Sequence, residues 1–163
     1  MELSKKQQEI LNSEQPKIVV LASAASGKSR LMTEKVRQLL QNHVNPKDIA
    51  VITFTNMAAA ELRQRLGNDN SPDLFVGTIH SLANRMLVRG GISTEKVLQD
   101  DRFDELFDLI LTNPSLVQHY KWLLLDEAQD TDENQFTFIL DMIEPEHFFI
   151  VGDLKQSIYQ WRQ

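Results

Sequence analysis

Five continuous apolar runs, separated by stretches of helical spacing, are the feature that most restricts how this chain folds. The runs are Lys17 to Ser23 (KIVVLAS), Asp48 to Phe54 (DIAVITF), Leu74 to Gly77 (LFVG), Trp122 to Leu125 (WLLL) and His147 to Val151 (HFFIV). They are short and β-rich, so they read as strands. A sheet with one wet face would alternate apolar and polar residues; these runs do not, which predicts strands covered on both faces in a parallel sheet. Between them, Leu31, Met32, Val36, Leu39 and Leu40 recur at spacings of three and four, as one helical face requires. Ala58–Ala60 with Leu62 and Leu66 reads as a second helix capped by Gly67, and Thr78 to Val88 as a third that stops at Gly90-Gly91. Phe103, Leu106, Phe107, Ile110 and Leu111 form another stripe, and Phe136, Ile139, Leu140 and Ile143 mark a helix stopped by Pro145. Strands separated by helices point to right-handed βαβ crossovers. The predicted fold is α/β, a parallel sheet of about five strands near residues 18–23, 49–54, 74–78, 122–126 and 148–152, with helices on both faces. The stretch from Gly90 to Asp101 reads as loop.

A chain of 163 residues suits one domain with a real core. Without cysteine it has no disulfide framework, thiolate metal site or thiol nucleophile. The N-terminal MELSKKQQEI lacks the apolar centre of a secretory signal, and no apolar run approaches the roughly 20 residues that span a bilayer. The expectation is a cytoplasmic protein that spans no membrane. A net charge of -6 argues against a tight hold on a nucleic-acid backbone, although a local basic or aromatic groove is compatible with it.

Chemistry concentrates at two strand ends. The segment Ala22-Ser23-Ala24-Ala25-Ser26-Gly27-Lys28-Ser29 follows a strand and opens a helix, the context of a phosphate-binding loop. Backbone N–H groups there would hold the β- and γ-phosphates of ATP, Lys28 would bring a point charge to them, and the Ser29 hydroxyl would ligate Mg²⁺. Ala22 stands where such loops usually begin with glycine, and Ala25 where many carry one; a positive φ at Ala25 would cost roughly 1 kcal/mol or more. The other reading of this segment is a small-residue turn with a solvated lysine. The second site is Asp126-Glu127, directly after WLLL. Ligands of open α/β sheets bind at the carboxyl ends of strands, which assigns Asp126 to Mg²⁺ and Glu127 to the attacking water. Alone, the pair also fits a loop start or a helix cap.

Further segments are Leu3-Ser4-Lys5-Lys6-Gln7, Thr53-Phe54-Thr55-Asn56, Gly77-Thr78-Ile79-His80, Asp126 to Thr131 (DEAQDT), and Val151 to Arg162 (VGDLKQSIYQWR). In order and wording they resemble the Q motif and motifs Ia, Ib, II and III of the UvrD/Rep/PcrA-like superfamily 1 DNA helicases, over nearly the whole chain apart from about 83–121. The resemblance implies a RecA-like P-loop domain with ATP and Mg²⁺ as cofactors, in a family of DNA-repair motors. It implies that Gln7 reads the adenine, that Arg30 packs against it, and that Gln156 contacts the γ-phosphate beside the catalytic Lys28 and Glu127. It implies a single-strand path through Phe54, Asn56, Thr78, His80, Tyr159, Trp161 and Arg162, where aromatic faces stack on bases without reading sequence. Four residues carry a second reading: Gln7, with Ser4, also fits a capping box, Phe54 also fits the core, His80 also fits a structural histidine, and Gln156 also fits an ordinary polar loop residue.

Two departures from the family pattern matter. Only about forty residues separate His80 from Asp126, so the helical insertion called subdomain 1B is expected to be reduced to a short connection around 83–121. The motifs of a second RecA-like lobe do not occur in residues 1–163, so the lobe is expected to need one in cis or in trans, to bind single-stranded DNA weakly, and not to unwind DNA alone. The alternative function is a stand-alone nucleotide-binding switch.

Overall fold

The computed structural model describes residues 2–22 and 27–153. Its five strands are β1 (Lys17–Ala22), β2 (Ile49–Thr53), β3 (Phe75–Thr78), β4 (Trp122–Leu125) and β5 (His147–Asp153). All pair in parallel, in the order β1-β5-β4-β2-β3. The expected strands are therefore present to within a residue or two at each end.

The helices are α1 (Lys5–Leu11), α2 (Lys28–Gln41), α3 (Asn56–Leu66), α4 (Ile79–Arg89), α5 (Glu95–Gln99), α6 (Glu105–Leu111) and α7 (Glu133–Phe136), the last running on as a π-helical stretch over Thr137–Met142. Alternate residues of each strand go to opposite faces, and both faces are dry. Ala50, Ile52, Leu123, Leu125 and Ile150 join a core with Leu82, Leu87, Phe107 and Phe138 under α4, α6 and the α7 segment. Ile49, Val51, Leu124, Phe149 and Val151 join a second core with Val36, Leu39, Leu62 and Leu66 under α2 and α3. Two-sided burial of the central strands is why they show no apolar–polar alternation.

Local signals explain the element ends that matter for function. Thr55 caps α3 by accepting from the Ala58 N–H at 3.1 Å, and Thr78 caps α4 by accepting from the Ser81 N–H at 3.1 Å. Gly67 ends α3 at φ 53°, a conformation that glycine adopts without strain. Ser4 and Gln7 form the reciprocal capping box at the start of α1, with both hydrogen bonds made.

Two local expectations need correcting, and one alternative reading falls away. The stretch from Gly90 to Asp101 is not all loop, because α5 lies within it: Val97 is buried, and the Thr94 hydroxyl donates to the side-chain oxygen of Asn84 on α4. Phe103 does not belong to the buried stripe of α6; it precedes that helix and is 43% exposed. Phe54 is not core: β2 stops at Thr53, and the Phe54 ring is 48% exposed.

Candidate functional site

The carboxyl ends of β1 and β4 bring the two chemical motifs together. Gly27, the N-cap of α2, sits at φ 75° and offers no side chain to cap the first N–H groups of that helix. The end of a helix of this length attracts anions through its unpaired N–H groups and its dipole. Lys28 is only 8% exposed, and its Nζ lies 3.6 Å from Glu127 Oε1. Thr33, one turn on, donates its hydroxyl to the Ser29 carbonyl at 2.9 Å.

Glu127 adopts a left-handed backbone conformation, φ 56° and ψ 46°, directly after β4. Such a conformation costs a side-chain-bearing residue of order 1–3 kcal/mol and is held only where the surroundings fix it. The Glu127 N–H donates to Asp126 Oδ1 at 2.9 Å, and the Asp126 N–H donates to the Ile52 carbonyl at 3.0 Å, which ties the acidic turn to the end of β2. Burial, first, and the neighbouring Glu127 carboxylate, second, hold the Asp126 carboxyl above the usual range; the Glu127 N–H and the Lys28 ammonium pull it back down. Asp130 is shifted the same way, by desolvation and then by Glu127. A carboxylate kept uncomfortable by burial and a like charge is a ready partner for a divalent cation.

Two recesses open on this arrangement. One, of about 220 Å³, is lined by Gly27, Lys28, Ser29, Arg30, Arg65 and Glu127. A smaller one, of about 20 Å³, has Ser29, Thr53, Glu61, Arg65 and Asp126 among its walls. The structure thus gathers Gly27, Lys28, Ser29, Arg30, Asp126 and Glu127 of the expected nucleotide site. Gln7 is adjacent as well, since a Cβ on Gly27 would lie 3.4 Å from its Nε2. Its capping-box contact uses Oε1. Ala24, Ala25, Ser26 and Gln156 lie outside the described residues.

Glu61 and Arg65 were not expected here. Both sit on the exposed side of α3, and spacing alone marks them as solvated surface. Arg65 faces both recesses, and its guanidinium makes no ion pair among the described residues, while its carbonyl accepts from Arg37 on α2. No signal local to α3 marks them, because α3 follows β2 and reaches the phosphate site only through the packing of α3 against α2.

The other end of α3 opens on a larger cleft, of about 680 Å³. Phe54, Asn56, Thr78 and His80 all line it, so these four expected strand-facing residues come together. Tyr159, Trp161 and Arg162 lie outside the described residues. The cleft also takes Asn84 from α4 and Leu98, Asp101, Phe103 and Asp104 from the connection to β4, none of which was expected. His80 has structural contacts too: its ring meets Phe107 edge-on at 4.9 Å, and its Nε2 is 3.5 Å from Asp104 Oδ1. Among the described residues no group of three or more His, Cys, Asp or Glu side chains is placed to hold a metal ion by itself, and no helix is long and apolar enough to cross a membrane.

The family model of the UvrD/REP helicase N-terminal domain matches residues 3–113 and 99–163. The chain belongs to this family. It is 38% identical to DNA helicase II of Escherichia coli, with 98% of the chain aligned to 34% of that protein. It is 26% identical to the ATP-dependent DNA helicase PcrA of Leuconostoc citreum, with 98% of the chain aligned to 33% of that protein. The PcrA alignment runs over 250 residues although this chain has 163, so the relative carries inserted segments that the chain lacks. The chain spans about a third of the length of the curated relatives it matches. Among solved structures, the Pif1 helicase from Candida albicans superposes with a TM-score of 0.56 at 19% identity, over 94% of this chain and 33% of that one, a likeness of fold.

Proposed function

We propose that this chain is the ATP-binding lobe of an ATP-dependent DNA helicase or translocase, using ATP with Mg²⁺ and forming one wall of a single-strand path. The observation that carries the reading is the convergence of Lys28, Glu127 and Asp126 beside Ser29 at the N-terminus of α2. A buried ammonium, a helix terminus of free N–H groups and two acidic oxygens are what a metal-bound polyphosphate needs.

When bound, Mg-ATP supplies the transferable phosphoryl group together with the charge that eases its departure. The residues of the chain divide the remaining work. The start of α2 and Lys28 hold the phosphates, and the Ser29 hydroxyl and the Asp126 carboxylate hold the metal. Glu127, fixed in its left-handed turn, orients water and accepts its proton. Lys28 Nζ lies 3.6 Å from that carboxylate, an ion pair that an incoming phosphate would compete for. Gln7 and Arg30 flank the base, and Gln156 reports on the γ-phosphate. Arg65 adds a cation from the α3 side, and α3 itself joins this site to the cleft that holds Phe54 and Asn56.

The cleft favours a strand-handling lobe over a plain nucleotide switch, because a switch has no use for a half-exposed Phe54 beside Asn56 and Thr78. The short connection over 83–121 stands in place of subdomain 1B, a reading supported by the inserted segments of the PcrA relative. A second RecA-like lobe, in cis or in trans, closes on the nucleotide and makes the opposite wall of the path. The test is titration with a fluorescent ATP analogue, with and without Mg²⁺, on the wild-type chain and on Glu127→Gln. Metal-dependent binding retained in Glu127→Gln, together with loss of phosphate release, is expected. Binding indifferent to Mg²⁺ would contradict the proposal.

A further inference from the structure

At the end of the sheet away from Asp126 and Glu127, the chain carries positive charge that the fold does not balance. The sequence has 23 acidic residues in 163, yet none between Leu74 and Thr94 and none between Leu109 and Leu125. These two acid-free stretches meet where the end of α4 packs on the segment before β4. Gly90 allows that approach, since a Cβ there would overlap the Leu116 side chain. Arg85 and Arg89 stand one turn apart on this part of α4. The other cations nearby are engaged: Lys121 lies 3.9 Å from Asp48, and the His119 ring holds the Ile143 carbonyl at 2.9 Å.

The two arginines have little structural work. The Arg85 guanidinium lies over the Phe75 ring, 5.7 Å from its centroid, and makes no hydrogen bond or ion pair among the described residues. Arg89 makes one long hydrogen bond, to Gln118 Oε1 at 3.4 Å, and no ion pair among them. Neither closes the helix, because the N–H groups of Gly90, Gly91 and Ile92 take up the last carbonyls of α4. Beside them lies Tyr120, only 3% exposed, whose hydroxyl has no hydrogen-bond partner among the described residues. A buried hydroxyl ordinarily finds one. Burial pushes the Tyr120 hydroxyl up from its usual pKa, and Arg85 and then Arg89 act on it in the opposite sense, so both cations bear on that one group.

Two planar forks of N–H donors and a hydroxyl donor, with no acid among them, suit an oxyanion with several acceptor oxygens. We propose that Arg85, Arg89 and the Tyr120 hydroxyl form a site for a phosphate group, separate from both the ATP recess and the strand cleft. Along α4, Arg89 is roughly 14 Å from His80, at about 1.5 Å per residue. The phosphate comes from the backbone of a nucleic acid that runs over α4. For that source alone the inference rests on the DNA-handling role proposed above; the site itself does not depend on it.

The experiment follows the side-chain Nε–Hε signals of Arg85 and Arg89 by nuclear magnetic resonance on the nitrogen-15-labelled chain. Inorganic phosphate shifts both signals together and saturably, and sodium chloride of the same ionic strength leaves them in place. The shifts persist in Lys28→Ala, which removes the competing recess. Arg89→Gln weakens the phosphate response about tenfold, and Tyr120→Phe, which removes one donor and no bulk, about fivefold. Tyr120→Phe melts no lower than wild type, because its hydroxyl supports no bond in the fold. A short blunt duplex, which offers no single strand to the cleft, moves the same two signals, and Arg89→Gln lowers the slope of its log affinity against log salt by about one. Shifts with phosphate but not with the duplex support the site and overturn its nucleic-acid source in favour of a free phosphate compound. Arginine signals that ignore phosphate, or that answer chloride equally, overturn the inference and leave the ATP site and the strand path untouched.

Discussion

Replacing Asp126 by asparagine should make the metal-free chain more stable while disabling its site. Asp126 directly follows β4, whose last three residues are buried, and its carboxyl is held above the usual range by burial and by Glu127. Ionising it therefore costs the folded state more than the unfolded one. Asparagine keeps an oxygen to accept the 2.9 Å bond from the Glu127 N–H and removes the charge. Losing one partly buried, poorly compensated charge at constant shape is worth about 1 kcal/mol, in the way that functional sites trade stability for chemistry. For a chain of this length that raises Tm by about 2–4 °C. The sign depends on pH. The folded pKa lies above the unfolded one, so the penalty is full at neutral pH and fades as pH falls through the folded pKa toward the usual carboxylate range. Thermal melts followed by circular dichroism at neutral and at acidic pH would show Asp126→Asn above wild type at the first and level with it at the second. A variant less stable than wild type at neutral pH would refute the reasoning, since the carboxylate would then be a net support of the fold.

Other consequences are more local. Arg65→Ala should leave stability within about 0.5 kcal/mol, because the side chain is exposed, yet weaken triphosphate binding about fivefold through loss of one charged contact, measured by competition with a fluorescent nucleotide. Phe149→Ala, at a fully buried position in the middle of β5, should cost about 3–5 kcal/mol, read as a lowered urea midpoint at unchanged slope.

The strands were legible because burial on both faces leaves an unbroken apolar signature, and WLLL and DIAVITF needed no further cue. The phosphate-site residues were legible because their chemistry is local: Gly27, Lys28 and Ser29 follow one another, as do Asp126 and Glu127. What stayed hidden depends on distant elements meeting. Spacing marks Glu61 and Arg65 as the wet face of α3 but cannot say that this face returns to the end of α2. Phe103 keeps helical register with Leu106 and Phe107, so periodicity assigns it to the core; it lies instead in tighter i→i+3 turns ahead of α6 and lines the cleft. The helix α5 is five residues long, too short for periodicity to register, and is held by Val97 and by the Thr94 contact to Asn84.

Calorimetric titration of Mg-ATP into the wild-type chain and into Lys28→Ala tests the central claim most directly. Lys28 is the one buried ammonium among the residues lining the phosphate recess, and its removal leaves Glu127 without the cation 3.6 Å away, facing any incoming phosphate. The account predicts measurable heat with the wild type and none with Lys28→Ala, the variant remaining folded by circular dichroism. Equal affinities in the two proteins would contradict the assignment of this site to ATP.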